Sequence, residues 1–174
     1  KYINMACILA NGIALGCKDS LGGIKEVYIG STNATTVFTY DADDVISGAT
    51  GAPNFFTFEQ RNEQGEFVQT GNHSVENGTN FWTQTVSLIF TKSDAEDRNT
   101  LMLLAQSTLM VIVLDQNGKY WVVGEGNGAD LVASTQSAGK AYGDLNGTTV
   151  TIEGKESSPA REMDAATFAT LTVS

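Results

Sequence analysis

Polar and apolar residues alternate along much of this chain, and that period of two predicts β-strands. The clearest strand covers residues 81–90, in which one alternate set is more apolar than the other, namely Trp82, Gln84, Val86, Leu88 and Phe90. The same pattern predicts strands over residues 24–29, 37–40, 55–60, 66–70, 109–114, 120–123 and 148–153. This number of short strands is too large for one small open sheet. The chain is therefore predicted to be mainly β, folded as a β-sandwich or barrel.

One segment breaks the strand pattern and predicts a helix over residues 94–107. Ser93 and Glu96 have the spacing of a capping box, and Asp94 and Asp97 suit the positive end of a helix dipole. One face of this helix carries Leu101, Leu104, Ala105 and Thr108. We expect the helix to flank the sheet and to pack on its outer side by this face, above all by Leu101, Leu104 and Ala105.

Asn117-Gly118 is the strongest hairpin signal in the chain, because both residue types reach positive φ at low cost. The predicted strands 109–114 and 120–123 lie on either side of it.

A second hairpin is predicted over residues 55–80, as a polar arm with its tip at residues 63–65. A ribbon this polar gains little by burial in its own domain. Two interpretations stay open: the arm reaches a neighbouring subunit, or it folds onto its own domain. The candidate contact residues of the arm are Phe55, Phe58, Arg61, Glu63, Phe67 and Val68.

The chain has 174 residues, of which 41% are hydrophobic, enough for an ordinary core without metal or disulfide support. We expect one β-rich structural domain over residues 1–156 and a C-terminal extension over residues 157–174. The extension is interpreted either as a short helix from Pro159 to Phe168 or as a mobile tail.

Three stretches of the chain resemble the tail tube proteins of long-tailed bacteriophages and related structural proteins of phages that infect Bacteroidota. They are SVENGTNFWTQTVSLIFTKSDAEDRNTLMLLAQ, VIVLDQNGKYWVVGEGNGADL and GKAYGDLNGTTVTIEGKE. The resemblance implies a virion structural protein that assembles in the host cytoplasm and resides in the tail. It also implies hexameric rings that stack into a tube conducting DNA. Further implied partners are the tape measure and, in contractile tails, the sheath.

The chain is acidic, with 20 Asp and Glu against 10 Lys and Arg and a formal net charge of -10. This balance argues against binding DNA by phosphate neutralisation. It fits a conduit through which DNA passes without adhering, and it fits plain solubility equally well. The candidate charges for a lumen or rim lie in turns and glycine-rich connections, at Asp43, Asp44, Glu125 and Asp130.

No combination of residues suggests catalysis, so neither an enzyme nor a cofactor or metal site is expected. The lone histidine, His73, lies in a polar stretch, and the acidic residues 41–44 lack the glycine and glutamate offsets of a calcium loop. Residues 124–128 are expected to be a flexible connection. Cys7 and Cys17 are interpreted as buried residues of neighbouring strands, or as a disulfide if Asn11-Gly12 forms a hairpin. No apolar run has membrane-spanning length, and no signal-peptide pattern begins the chain.

The rival function class is a capsid decoration or auxiliary protein, or an adhesin-like β-domain. Such a module would be a monomer or trimer and would not form filaments. The arm separates the two classes, because an arm folded onto its own domain favours the decoration module.

Overall fold

A computed structural model describes residues 12–15, 17–32, 35–92 and 94–174 of the chain. Within them the protein is mainly β, as predicted, and every predicted strand is present. The elements are β1 Ile24–Ser31, β2 Val37–Tyr40, β3 Ile46–Thr50, β4 Phe56–Glu59, β5 Glu66–Ser74, β6 Thr79–Thr91, α1 Ala95–Gln106, β7 Leu109–Asp115, β8 Tyr120–Val123, β9 Ala129–Ser137, β10 Gly147–Glu156, β11 Arg161–Met163 and α2 Ala165–Phe168.

Strand β7 lies at the centre of the fold, because it is apolar on both faces. It pairs in antiparallel fashion with β1 along one edge and with β8 along the other, and it meets β9 where Leu109 lies opposite Ala129. Its residues Leu109, Val111 and Val113 pack into one core cluster, whereas its residues Met110, Ile112 and Leu114 pack into a second. A strand buried on both faces reads as a continuous apolar run, which is the sequence LMVIVL.

The first core cluster joins two layers of sheet into a sandwich. The strands β9, β10, β6 and β5 are paired in that order. Side chains of β6 and β10 meet those of β1, β7 and β8 in the cluster, notably Val86 and Leu88 on β6 and Val150 and Ile152 on β10. The alternation predicted for residues 81–90 is confirmed, since Gln84, Val86 and Leu88 are buried.

The second core cluster covers the opposite face of β7 with residues from the start and the end of the chain. Phe168 stacks on Tyr120 with 4.3 Å between ring centroids and lies 4.7 Å from Tyr28. Met163 and Ile46 are buried in the same cluster. Residues 157–174 thus contribute side chains to the core, and the helix expected from Pro159 begins at Ala165 instead, after strand β11.

Helix α1 lies within one residue of its predicted bounds and flanks the sandwich. Leu101 and Leu104 are half-buried and pack against the first core cluster, but Ala105, expected on the same face, is exposed. The Asp94 backbone N–H donates to the Asp97 carboxylate at 2.9 Å, so the contact at the helix start uses Asp97 where Glu96 was expected. Ser93, the predicted cap, lies outside the described residues.

The predicted hairpin between residues 55–60 and 66–70 is wrong. Strand β4 pairs with β1, and β5 pairs with β6 across a turn over residues 75–78. This turn contains Asn77-Gly78, and Gly78 has φ +62, a conformation that glycine adopts without strain. The long ribbon of the molecule is therefore β5–β6. Its tip is at residues 75–78 and not at residues 63–65.

The sequence reading missed β3, β9 and β11. Strand β3 contains Gly48 and Ala49, which have low β propensity, and most of β9 is polar and exposed. These strands lack the apolar alternation on which the prediction relied, so their formation depends on pairing with neighbouring strands.

Near the start of the described chain, Cys17 is exposed and unpaired, contrary to its expected burial, while Cys7 and Asn11 lie outside the described residues.

Candidate interaction surfaces

The sheet ends at two strands that pair on one side only within the described residues. The path of paired strands begins at β2 and finishes at β5, with β2 bound to β3 and β5 bound to β6. The outer edge of each strand carries backbone N–H and C=O groups that another strand can pair with. The two edges lie at opposite ends of the sheet.

Strand β4 also pairs on one side with β1, but the end of the described chain covers its other side. The Phe55 N–H donates to the Thr172 carbonyl at 2.9 Å, and the Ser174 N–H donates back to the Phe55 carbonyl at 2.9 Å. The Thr57 N–H also donates to the Ser174 carbonyl at 3.2 Å. Residues 172–174 therefore act as a short parallel partner of β4.

Strand β9 is single-sided along most of its length, because β7 reaches it only at Ala129. Helix α1 lies beside this strand. A shallow cavity between them is lined by Met102 and Ala105 of the helix and by Ser134 and Gln136 of the strand. This neighbour makes β9 less open than β2 or β5.

The tip of the β5–β6 ribbon extends past the neighbouring strand β10. Pairing between β6 and β10 ends where Trp82 meets Glu156, whereas the pairing of β6 with β5 continues to Thr79. His73 lies edge-on to Trp82 with 5.7 Å between ring centroids, and its Nδ1 is 2.7 Å from the Asn80 side-chain oxygen. His73 is thus an exposed member of the ribbon.

The six candidate arm residues are divided between core and surface. Phe55 is buried in the second core cluster at 1% exposure, and Phe58 and Phe67 pack against the first. Their aromatic side chains are engaged within their own chain. Arg61 and Glu63 lie exposed in the connection between β4 and β5, and Val68 is exposed on β5. Of the six, Phe67 and Val68 lie on the edge strand β5, and only Val68 of these two is exposed.

Two of the four candidate lumen charges are bound to one arginine. Arg161 Nε donates to Asp44 at 2.8 Å, and Arg161 Nη1 donates to both carboxylate oxygens of Glu125 at 3.1 Å each. The guanidinium lies 4.8 Å from the centre of the Tyr40 ring, whose hydroxyl donates to Glu125. This Arg161 cluster joins the β2–β3 hairpin, the connection after β8, and β11.

The cluster changes the acidity of its members. Burial raises the pKa of Tyr40 to about 12, with a further contribution from the hydrogen bond to Glu125. The hydrogen bond to Asp44 raises the pKa of Arg161, so the guanidinium stays charged under all ordinary conditions. Two carboxylates share one guanidinium, so Arg161 offsets one of the two negative charges of Asp44 and Glu125.

The glycine-rich residues 124–128 are held in place, contrary to the flexible connection expected from sequence. The Glu156 carboxylate accepts from the backbone N–H groups of Gly126 at 2.9 Å and Asn127 at 2.7 Å. Buried Gln84 accepts from the Gly124 N–H at 3.3 Å. Gly124 itself has φ +74, and a Cβ there would lie 2.6 Å from the Ala129 nitrogen.

The other two candidate charges, Asp43 and Asp130, are exposed. In the turn that contains Asp43, Asp41 Oδ1 accepts from the backbone N–H groups of Asp43 and Val45 at 2.9 Å each. This local bonding accounts for the acidic turn without a cation. Among the described residues, no group of three or more His, Cys, Asp or Glu is arranged to hold a metal ion.

Sequence reasoning missed Arg161 and the free edge of β2. Arg161 has no local motif, since its partners Asp44 and Glu125 lie far away in the chain. The β5–β6 turn had a readable signal in Asn77-Gly78.

Neither helix in the described part of the chain combines the length and apolar composition that crossing a membrane requires. Comparison with family models and with curated protein sequences gave no match.

Proposed function

We propose that this chain is a virion structural protein whose copies join edge to edge into a ring, and that the rings stack into a phage tail tube conducting DNA. The observation that carries this proposal is that β2 and β5 each have one open edge within the described residues, at the two ends of the path of paired strands. Pairing β5 of one copy with β2 of the next is a head-to-tail contact, which closes into a ring when the rotation per copy permits.

The chemistry of the two edges supports pairing between copies. Monomeric β-proteins guard their free edges with lysine, proline, bulges or inward-pointing charges. The sequences VFTY of β2 and EFVQTGNHS of β5 contain neither lysine nor proline, and Glu66 at the start of β5 is their one acidic residue. Val37 and Val68 are 58% and 42% exposed on these strands. Main-chain hydrogen bonds would supply affinity, and such side chains would add apolar contact.

Conduction of DNA in this proposal depends on a lumen that is not basic. The net charge of -10 supports it, because like charge keeps phosphate from adhering. Asp43 and Asp130 remain the candidates for lumen or rim positions, since both are exposed and neither belongs to the Arg161 cluster. The tape measure and sheath remain proposed partners by resemblance.

A capsid decoration or adhesin-like module is the second candidate function. The base of the β5–β6 ribbon favours it, because Phe67 packs against the core of its own chain. A ribbon anchored in this way is less available as an arm that embraces a neighbour. The free edges are not explained by this alternative, so the ring is the preferred function.

Light scattering after size-exclusion chromatography, with negative-stain imaging, tests the proposal. We expect rings or polymers at raised concentration for the unmodified protein. Val68→Lys or Val37→Lys should each abolish them, since either places a charge at the proposed junction. Met102→Lys is the matched control, because Met102 is 53% exposed on α1, away from both edges. A monomer at every protein and salt concentration would refute the proposal, and a discrete trimer would favour the decoration module.

A further inference from the structure

The first described residues carry large apolar side chains into solvent. Ile13 and Leu15 are 105% and 103% exposed, and Leu21 is 68% exposed. Ile13 and Leu15 are two positions apart, so an extended chain presents both on the same face. Within the described residues, these two fully exposed side chains form an apolar patch that suits a partner.

An apolar groove lies open elsewhere on the molecule, between β4 and α1. Its volume is about 450 Å³, and its main apolar walls are Phe56 and Phe58 of β4 and Leu103 and Leu104 of α1. Phe56 is 54% exposed and Leu103 is 65% exposed. Among the described residues, none that lines the groove is charged. The groove therefore offers no partner for a charged side chain, and it suits an uncharged segment.

The chain that carries the segment is anchored through Leu21 at one end of the central strand, and the groove lies at the other end. The Leu21 backbone N–H donates to Asn117 Oδ1 at 2.9 Å, and Asn117 Nδ2 donates to the Leu21 carbonyl at 2.9 Å, just beyond the end of β7. The groove is lined by Ser31 and Ser107, beside the start of β7. A segment at one end and a receptor at the other end make a contact that propagates from copy to copy.

We infer that residues 12–15 of one copy lie in the β4–α1 groove of a second copy, and that this contact joins subunits along the tube axis. The inference rests on the proposed tube and adds a contact between stacked rings to the edge-to-edge contact within each ring. The occupant is a second copy because the segment is uncharged, matches the groove in apolar character, and is solvated in its own chain. Ile13 and Leu15 would enter the groove beside Phe56 and Leu103.

Thiol cross-linking tests the contact directly, because native Cys17 is exposed two residues after Leu15. In a Cys7→Ser background, Leu103→Cys places a second thiol at the groove, and a short bismaleimide joins the two. We expect a ladder of covalent dimers, trimers and larger species. Met102→Cys is the matched control, since Met102 is the adjacent residue of α1 and does not line the groove. We expect this control to give no ladder. Equal ladders from both variants, or a cross-link within single chains, would overturn the inference.

A second pair of variants separates this inference from the proposed function. Ile13→Asp with Leu15→Asp should reduce polymers to single rings without lowering the melting temperature. Val75→Asp, at a 99% exposed position of the β5–β6 turn, should leave polymer length unchanged. Polymers of normal length from the double variant would overturn the inference while leaving edge-to-edge rings intact. If the unmodified protein formed no rings, the proposed tube would be refuted. The segment–groove contact would then be judged by the cross-linking ladder alone.

Discussion

At the scale of single residues, Arg161 joins three separate parts of the fold. It binds carboxylates from two distant segments, and its side chain is 25% exposed while that of Glu125 is 11% exposed. Ion pairs in such partly buried positions are costly to break, because the remaining charge loses its partner and is only partly solvated. The cluster thus fixes how β11 and residues 124–128 sit beside the β2–β3 hairpin, whose β2 is a proposed junction.

Arg161→Ala should lower the free energy of unfolding by about 1–3 kcal/mol, because Glu125 keeps a partly buried charge without its partner. Lys119→Ala is the matched control. Lys119 also binds a carboxylate, that of Glu162 at 2.7 Å, but its side chain is 50% exposed. The control should change stability by less than about 0.5 kcal/mol. Urea denaturation measures both variants, and equal losses would show that the Arg161 cluster contributes no more than a surface ion pair.

Tyr40 should make stability depend on pH in the alkaline range. Its folded-state pKa is raised from 10.0 to about 12 by burial and by the hydrogen bond to Glu125. A raised pKa stabilises the fold while the hydroxyl is protonated in both states, so the contribution is complete below pH 10. It declines as the pH rises from about 10 to about 12. The stability difference between the unmodified protein and Tyr40→Phe should shrink across this window, and Tyr28 is common to both proteins. A difference that stays constant would contradict this assignment.

At the scale of elements, α1 is a surface helix attached by one narrow apolar face. None of its residues is fully buried, yet Leu101 and Leu104 contact the first core cluster. The helix is acidic in its first turn and has no basic residue in its last. Tertiary packing by two leucines and the Asp94–Asp97 contact therefore hold it in place more than helix propensity does.

Leu104→Ala should cost about 1–3 kcal/mol, below the usual cost for a fully buried leucine because the side chain is only half-buried. Leu103→Ala is the adjacent control at a 65% exposed position, and it should change stability by less than about 0.5 kcal/mol. Thermal unfolding followed by circular dichroism compares the two. Equal small losses would mean that α1 is not anchored to the core by Leu104.

Eight of the eleven described strands and the β7–β8 hairpin were predictable from sequence, but the partner of β4 was not. Alternation over residues 81–90 and the Asn117-Gly118 turn are local signals. The first predicted strand β6 and the second predicted the β7–β8 hairpin. Strand β4 pairs with β1, and its other contacts are also distant in sequence. Phe58 lies 5.8 Å from Phe90 of β6 between ring centroids, and residues 172–174 bond to residues 55 and 57. The Arg161 cluster likewise depends on contacts between distant segments. Local sequence patterns carry no information about these two sets of contacts. The prediction that β4 and β5 pair as a hairpin was therefore wrong.

At the scale of the whole molecule, negative charge is divided into paired and free groups. Asp44, Glu125, Glu153 and Glu162 each lie within ion-pair distance of a basic side chain. The exposed Asp43 and Asp130 have no such partner among the described ion pairs. Asp43 and Asp130 therefore carry negative charge that no basic side chain of the described ion pairs offsets.

Replacing Asp43 and Asp130 by Lys should leave folding nearly unchanged, because exposed charges contribute little to stability. It should also create salt-sensitive affinity for DNA that the unmodified protein lacks. The matched double variant, Asp44→Lys with Glu125→Lys, should unfold at lower temperature because it surrounds Arg161 with like charge. Filter binding at several salt concentrations measures the affinity, with thermal unfolding alongside. DNA binding by the unmodified protein at physiological salt would refute the proposed conduit.

Backbone hydrogen exchange in assembled and dissociated protein tests most directly whether copies join at the free sheet edges. Outward-pointing amides of β2 and β5 face solvent in the single chain and would become hydrogen-bonded at a junction. We predict that peptides covering residues 37–40 and 66–74 exchange more slowly in the assembled protein, while those covering β7 exchange at the same rate in both. Unchanged exchange at both edges in a preparation known to be assembled would contradict the edge-to-edge account.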